Sequence, residues 1–126
     1  MDQVKSIDPG KLTLPQKHIF RKWAELLNST DGIIMMYFAD GNSDEYDEMY
    51  KSLMKKNRYV SFSKVKVPKG MVSQFNFLDI SSVPTFAFYR RRCKLVQLGG
   101  HKLQEKTLQK YIDNLLYRSK ELGIKV

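Results

Sequence analysis

Blocks of hydrophobic residues along the chain predict the strands of a β-sheet. Residues 33–38 are continuously apolar, which is the pattern of a strand buried on both faces. A later run over residues 84–89 predicts another strand, and Arg90, Arg91 and Arg92 form a turn after it. The remaining predicted strands cover residues 94–98, which complete this hairpin, residues 59–67, and a short stretch over residues 4–7.

Between these strands, apolar residues recur at helical spacing. Thr13 predicts the N-cap of a first helix, with Pro15 in the first turn and Gln16 in the capping-box position. Asn42 and Glu45 form an N-cap pair for a second helix. The apolar stripe of the first helix contains Ile19, Phe20, Trp23, Leu26 and Leu27, and that of the second contains Tyr46, Met49, Tyr50, Leu53 and Met54. A short helix is predicted over residues 71–78 and a last one over residues 103–120.

The predicted elements follow the order β-α-β-α-β-α-β-β-α. This alternation predicts an α/β fold in which a central mixed sheet is flanked by helices and closed by a hairpin. The 126 residues contain no repeat, low-complexity tract or linker, so we expect a single domain over residues 1–126. No apolar run approaches the roughly 20 residues of a membrane helix, and no stretch resembles a signal peptide, so we expect no membrane association.

The charge balance makes this a basic protein. The 22 Lys and Arg residues outnumber the 13 Asp and Glu residues, and the net charge is +9. Such a balance favours acidic partners, although a solvated basic surface explains it equally well. Two clusters form the candidate basic surface: Lys55, Lys56 and Arg58 after the second helix, and Arg90, Arg91, Arg92 and Lys94 in the hairpin. Conversely, Asp40, Asp44, Glu45, Asp47 and Glu48 make the start of the second helix locally acidic.

Few residues offer catalytic or ligand chemistry. The single cysteine, Cys93, excludes an internal disulfide and suits a reducing compartment, which predicts a cytoplasmic or nuclear protein. His18 and His101 lack the spacing of zinc ligands, and the acids after Asp40 lack the glycine and glutamate of an EF-hand loop. No phosphate-binding loop or catalytic triad is recognisable. We therefore expect no metal and no cofactor.

The order of elements and several motifs resemble the thioredoxin family over nearly the whole chain. The most specific match is Val83-Pro84-Thr85-Phe86, which is similar to the V-P-T-F that opens the late hairpin of thioredoxins. Residues 62–67 resemble the family's F-L-E-V-D-V strand, and Gly99-Gly100 fall where the family has its glycine before the last helix. The resemblance implies a thioredoxin fold with a cis peptide bond before Pro84, beside the site.

The motif that carries thioredoxin chemistry is missing. The family places C-x-x-C at the turn between the central strand and the next helix, where one thiolate attacks a substrate disulfide and the second cysteine resolves the intermediate. This chain has Asp40-Gly41-Asn42-Ser43-Asp44-Glu45 there, and Tyr37 stands at the position of the family's buried acid. Cys93 has no resolving partner. We therefore expect no dithiol oxidoreductase activity and no enzyme.

The peptide-binding groove of the scaffold does not depend on the cysteines. The resemblance implies that an extended peptide binds beside the residue before the cis-proline, through backbone hydrogen bonds like those of an added strand. The matching positions here are Asp40, Gly41, Asn42, Ser43, Ser82, Val83, Pro84 and Gly99. The leading hypothesis is a non-catalytic adaptor or scaffold module that binds a partner protein or peptide.

Three alternatives stay open. Basic residues interleaved with Tyr59 and Tyr89 are typical of surfaces that bind single-stranded nucleic acid, although no RNA-binding motif is present. A homodimer with a structural role and a protein with residual redox activity are the other two. The sequence does not distinguish a monomer from a homodimer.

Overall fold

The structure is a computed structural model that describes residues 2–3, 9–41, 44–99 and 103–121. Its strands are β1 (Asp2–Gln3), β2 (Ile33–Ala39), β3 (Val60–Lys66), β4 (Thr85–Arg90) and β5 (Cys93–Gly99). Its α-helices are α1 (Leu14–Ser29), α2 (Asp44–Lys56) and α3 (Glu105–Glu121). Two 3₁₀ helices span Pro9–Lys11 and Val72–Leu78. The strand predicted over residues 4–7 and the predicted cap residue Asn42 lie outside the described residues.

The strands form one mixed sheet in the order β1-β5-β4-β2-β3. β2 and β3 are parallel, whereas β2 pairs antiparallel with β4, and β4 with β5. The predicted α/β architecture and its closing hairpin are therefore confirmed. The helix predicted over residues 71–78 is a 3₁₀ helix at Val72–Leu78. The described N-terminal strand, β1, adds to the free side of β5.

The central strand explains the uninterrupted apolar run. Successive side chains of a strand point to opposite faces of the sheet. Ile34, Met36 and Phe38 pack with α1 and the second 3₁₀ helix on one face, and Ile33, Met35, Tyr37 and Ala39 pack with α2 and α3 on the other. All seven residues of β2 are buried because both faces are covered.

The predicted capping box of α1 is present. The Gln16 backbone N–H donates to Thr13 Oγ1 at 3.3 Å, and the Thr13 backbone N–H donates to Gln16 Oε1 at 2.9 Å. The Thr13 hydroxyl also donates to Gln74 Oε1 at 2.8 Å. The cap therefore joins the start of α1 to the second 3₁₀ helix, a long-range contact that the local sequence pattern did not reveal.

Replacing this cap is expected to destabilise the fold moderately. Thr13→Ala should lower the free energy of unfolding by about 1 kcal/mol, because a backbone N–H at the helix start loses its acceptor. Urea unfolding followed by circular dichroism measures the change. Ser73→Ala, at an exposed hydroxyl on the second 3₁₀ helix, is the control and should stay within about 0.5 kcal/mol of the natural protein. Equal losses in the two variants would contradict the capping role.

Candidate functional site

Three strand ends meet at one corner of the sheet. Phe38, next to the end of β2, pairs with Thr85 at the start of β4, and Thr85 pairs with Gly99 at the end of β5. Residues immediately beyond these pairs must therefore lie beside one another. We call Asp40, Gly41, Ser82, Val83, Pro84 and Gly99 the Pro84 corner. Ser43 and Asn42, which were predicted to line it, lie outside the described residues.

The backbone is packed closely at this corner. The Val83–Pro84 peptide bond is cis, Pro84 is buried, and Ser82 is exposed. The Thr85 hydroxyl donates to the Ser82 carbonyl oxygen at 2.7 Å. A Cβ atom on Gly99 would lie 3.0 Å from Thr85 Oγ1 and 3.6 Å from the Pro84 carbonyl oxygen. Gly99 therefore allows the last residue of β5 to lie directly against the loop that contains Pro84.

Tyr37, Asp47 and Lys64 form a polar cluster on the side of the sheet that α2 covers. The buried Tyr37 hydroxyl donates to Asp47 Oδ1 at 2.8 Å, and Lys64 Nζ lies 3.1 Å from Asp47 Oδ2. The Tyr37 ring stacks on Phe86, with 4.6 Å between ring centroids and 5° between planes. Asp47 thus joins α2 to β2 and β3.

From the sequence, Asp47 was predicted only as part of the acidic start of α2, and Lys64 was not predicted as a site residue. One signal was available. Tyr37 is the polar residue in an otherwise apolar buried strand, and a buried tyrosine hydroxyl usually finds a hydrogen-bond partner. Lys64 pairs with Tyr37 in the parallel register of β2 and β3, so both side chains project to the same face.

The two predicted basic clusters lie at the same end of the molecule. Ile33 pairs with Val60 of β3 and with Arg90 of β4. Arg58 lies two residues before β3 begins, and the exposed Arg91 and Arg92 directly follow β4. We call the exposed residues Lys55, Arg58, Tyr59, Arg91 and Arg92 the basic end. It is opposite the Pro84 corner, because β4 runs from one to the other.

Two predicted members of this basic surface form contacts with other parts of the fold. Lys56 Nζ lies 2.6 Å from Glu105 Oε2 of α3, and hydrogen bonds from Lys56 and Ser52 lower the pKa of the Glu105 carboxyl. Lys94 Nζ donates to the Leu78 carbonyl oxygen at 2.7 Å and to Gln97 Oε1 at 2.6 Å. Burial lowers the pKa of Lys94. The assignment of Lys94 to an exposed surface is therefore corrected.

Several solved structures with similar folds are thioredoxins. The chain matches the thioredoxin of Fasciola hepatica with a TM-score of 0.64 and 19% identity, over 76% of this chain and 93% of that one. For thioredoxin f2 of Chlamydomonas reinhardtii the TM-score is 0.60 and the identity 24%, over 73% of this chain and 86% of that one. A thioredoxin f2 in complex with ferredoxin:thioredoxin reductase matches with a TM-score of 0.62 and 18% identity, over 74% of this chain and 86% of that one.

The chain has the thioredoxin fold. No protein-family model matches it, and no curated protein matches its sequence. The structural likeness at this level of identity establishes the fold alone. The thioredoxin-like architecture carries a single cysteine and therefore lacks the C-x-x-C pair of a dithiol redox site.

Cys93 does not replace the missing pair. Cys93 is half-buried and pairs with Arg90, the last residue of β4, whereas Thr85 is the first residue of that strand. At a rise of about 3.4 Å per residue, β4 separates Cys93 from the Pro84 corner by about 17 Å. Among the described residues, no group of three or more His, Cys, Asp or Glu side chains is arranged to hold a metal ion. The described residues of the corner thus contain no thiol.

None of the helices in the described segments combines the length and the apolar character that a bilayer span requires.

Proposed function

We propose that this thioredoxin-like chain is a non-catalytic protein-binding module, and that an extended peptide of a partner protein binds at the Pro84 corner. The backbone groups of Val83 form hydrogen bonds with the peptide, as in the addition of a strand to a sheet. Asp40 and Gly41 form one wall of this surface, and Gly99 forms the other. A reducing compartment, the cytoplasm or nucleus, suits a chain with one thiol.

The observation that carries the proposal is the separation of binding groups from thiol. The corner keeps its close backbone packing around Pro84 and Gly99, whereas the single cysteine lies at the other end of β4. Recognition through backbone groups needs only shape and unpaired N–H and C=O groups, so it remains when redox chemistry is lost. The thioredoxin f2 that resembles this chain is found in a complex with a protein, ferredoxin:thioredoxin reductase, which supports a protein partner here.

Site-specific cross-linking tests this proposal. A photoreactive amino acid is placed at Ser82, which is exposed beside Val83, and cross-linked proteins are isolated from cells that express the full chain. The account predicts a discrete cross-linked partner whose yield falls when Val83→Pro is added, because proline removes the backbone N–H at that position.

The matched control carries the same photoreactive residue at Ser73, which is also exposed but lies on the second 3₁₀ helix. It should not capture the Ser82 partner. Circular dichroism is used to check that the Val83→Pro variant folds. If that variant does not fold, Val83→Asp takes its place. Equal capture of the same proteins from Ser73 and Ser82 would contradict binding at the corner.

The basic end supports a second candidate function, the binding of single-stranded nucleic acid. It combines four exposed cations with Tyr59, which is 68% exposed. Cations track a phosphate backbone, and an exposed aromatic ring provides a surface on which a base stacks. The measurement is a salt titration of oligonucleotide binding by fluorescence anisotropy. This function predicts an affinity that falls steeply with salt and with Arg91→Ser and Arg92→Ser, and an absence of low-salt binding contradicts it.

A further inference from the structure

β3 is an edge strand with outward-facing backbone groups. The sheet ends at β3, and no described strand lies beyond it. The Val67 N–H donates to the Ala39 carbonyl oxygen at 2.8 Å, so the backbone of residue 67 points towards β2. Because successive residues of a strand point their N–H and C=O groups to opposite sides, the groups of Phe62, Lys64 and Lys66 point away from β2. This edge is a template for another strand.

An apolar groove of about 400 Å³ opens beside this edge, between α1 and the sheet. Trp23, Ile19 and Leu26 of α1 form one wall. Met36, Phe38 and Val65 of the sheet and Phe75 of the second 3₁₀ helix are among the residues of its floor. A strand added to β3 would direct every second side chain into this groove, since alternate side chains of a strand share one face.

The charged side chains that line the groove, among the described residues, are those of Lys22, Lys64 and Lys66, and His18 lines it as well. Lys64 is already paired with Asp47 at 3.1 Å, so Lys66 provides the cation of the β3 edge. Lys64 and Lys66 project to the opposite face of the sheet from Val65, because they occupy alternate positions of β3. The side chains of an added strand that do not enter the groove would therefore lie beside these lysines.

These observations favour a different protein over the chain itself as the occupant. β1 lies at the other edge of the sheet, so the described N-terminal strand does not cover β3. Two copies joined through their β3 edges would bring Lys64 and Lys66 of both chains close together, and like charges on neighbouring strands are unfavourable. A segment that alternates apolar and acidic residues matches both the groove and the lysines.

We propose that the β3 edge binds a partner protein segment that is extended and alternates apolar and acidic residues. The segment pairs with Phe62, Lys64 and Lys66 through backbone hydrogen bonds. Its apolar side chains enter the groove beside Trp23, and a carboxylate of the segment lies near Lys66. This surface is separate from the Pro84 corner and does not depend on the function proposed for it.

A peptide titration of the full chain tests the proposal. The probe is a heptapeptide with blocked ends that alternates glutamate and valine. Trp23 is the chain's single tryptophan and lines the groove, so its fluorescence emission reports occupancy. We expect saturable binding that is about tenfold stronger than the binding of a lysine–valine peptide, because complementary charge favours the acidic segment. A glutamate–valine peptide with N-methylated backbone groups should lose binding, because strand addition requires the N–H donors.

Reversing one charge at the edge provides the matched variant. Lys66→Glu should weaken the glutamate–valine peptide and strengthen the lysine–valine peptide, so that the preference is reversed. Lys69→Glu makes the same change of net charge at an exposed lysine that does not line the groove, and it should keep the natural preference. Equal effects of the two variants would show that net charge, rather than this edge, determines binding.

Two further outcomes would overturn the proposal in favour of another occupant. If Val4→Ser with Ile7→Ser increases peptide affinity about tenfold, the chain's own N-terminal segment competes for the groove. If sedimentation shows a dimer that the peptide dissociates, a second copy occupies the β3 edge. No change in Trp23 emission with any peptide would also overturn it. The proposal requires a monomer and equal peptide affinity with and without the N-terminal substitutions.

Discussion

The purified protein is expected to reduce no insulin disulfide when a thioredoxin reductase and NADPH supply electrons. A thiolate that attacks a disulfide forms a mixed disulfide, and a second cysteine must then resolve it. Cys93 is the only cysteine in the chain, and Arg90 lies across from it at the far end of β4 from the Pro84 corner. The rate should equal that of Cys93→Ser, whereas an authentic thioredoxin assayed in parallel should show turnover.

Cys93→Ser is the decisive control because it removes the only thiol and leaves the Pro84 corner intact. If the natural protein reduces insulin faster than this variant, one cysteine supports reduction. The module would then be catalytic. Turnover in both proteins at the same rate would indicate a contaminating reductase.

The second large effect is expected at Asp47. Asp47→Ala should lower the free energy of unfolding by about 1–3 kcal/mol, because the variant removes the carboxylate that accepts from Tyr37 and pairs with Lys64. Tyr37 is fully buried, so water does not replace the carboxylate freely as a partner for its hydroxyl. Urea unfolding of Asp47→Ala, Tyr37→Phe and the double variant gives the coupling energy between the two side chains.

Glu48→Ala is the matched control on the same helix. Glu48 and Lys51 are 3.8 Å apart and mostly exposed, so their ion pair contributes little to stability. The control should stay within about 0.5 kcal/mol of the natural protein. Additive effects of Asp47→Ala and Tyr37→Phe would contradict the assigned contact, even if each variant alone is destabilised.

Local signals in the sequence were sufficient for much of the fold. The apolar run of β2 predicted a strand covered on both faces, because seven successive buried side chains require packing on each side of a sheet. Thr13 and Gln16 marked the start of α1, since both partners of a capping box lie within one helical turn. Such features depend on neighbouring residues alone, which is why they can be read without the tertiary structure.

The location of the Lys94 side chain could be determined only from the tertiary structure. An irregularity between Phe88 and Tyr89 shifts the register of the hairpin, so that Lys94 pairs with Tyr89 and Cys93 with Arg90. A shift of one residue turns a side chain to the other face of a sheet. Lys94 therefore reaches the Leu78 carbonyl oxygen rather than the exposed turn. Nothing in the composition of the hairpin indicated where this irregularity falls.

The arrangement of surfaces also depended on strand order. Lys55 and Arg58 are more than thirty positions from Arg91 and Arg92 in sequence. They share one end of the molecule because β3 and β4 flank β2. Among the described strands β3 is at one edge of the sheet, which follows from the same order. The pattern of β3 itself does not distinguish an edge strand from an inner one. Sequence patterns therefore identified the residues of these surfaces, but they did not show which of those residues lie beside one another in the structure.

Nuclear magnetic resonance of the isotopically labelled full chain tests the central claim most directly. A peptide is first selected from a random displayed library against the immobilised protein and is then titrated while backbone amide signals are followed. The account predicts shifts centred on Gly41, Val83 and Gly99, and it predicts the same affinity for Cys93→Ser in the presence of reductant. Binding that requires Cys93, or shifts confined to the basic end or to the β3 edge, would contradict peptide recognition at the Pro84 corner.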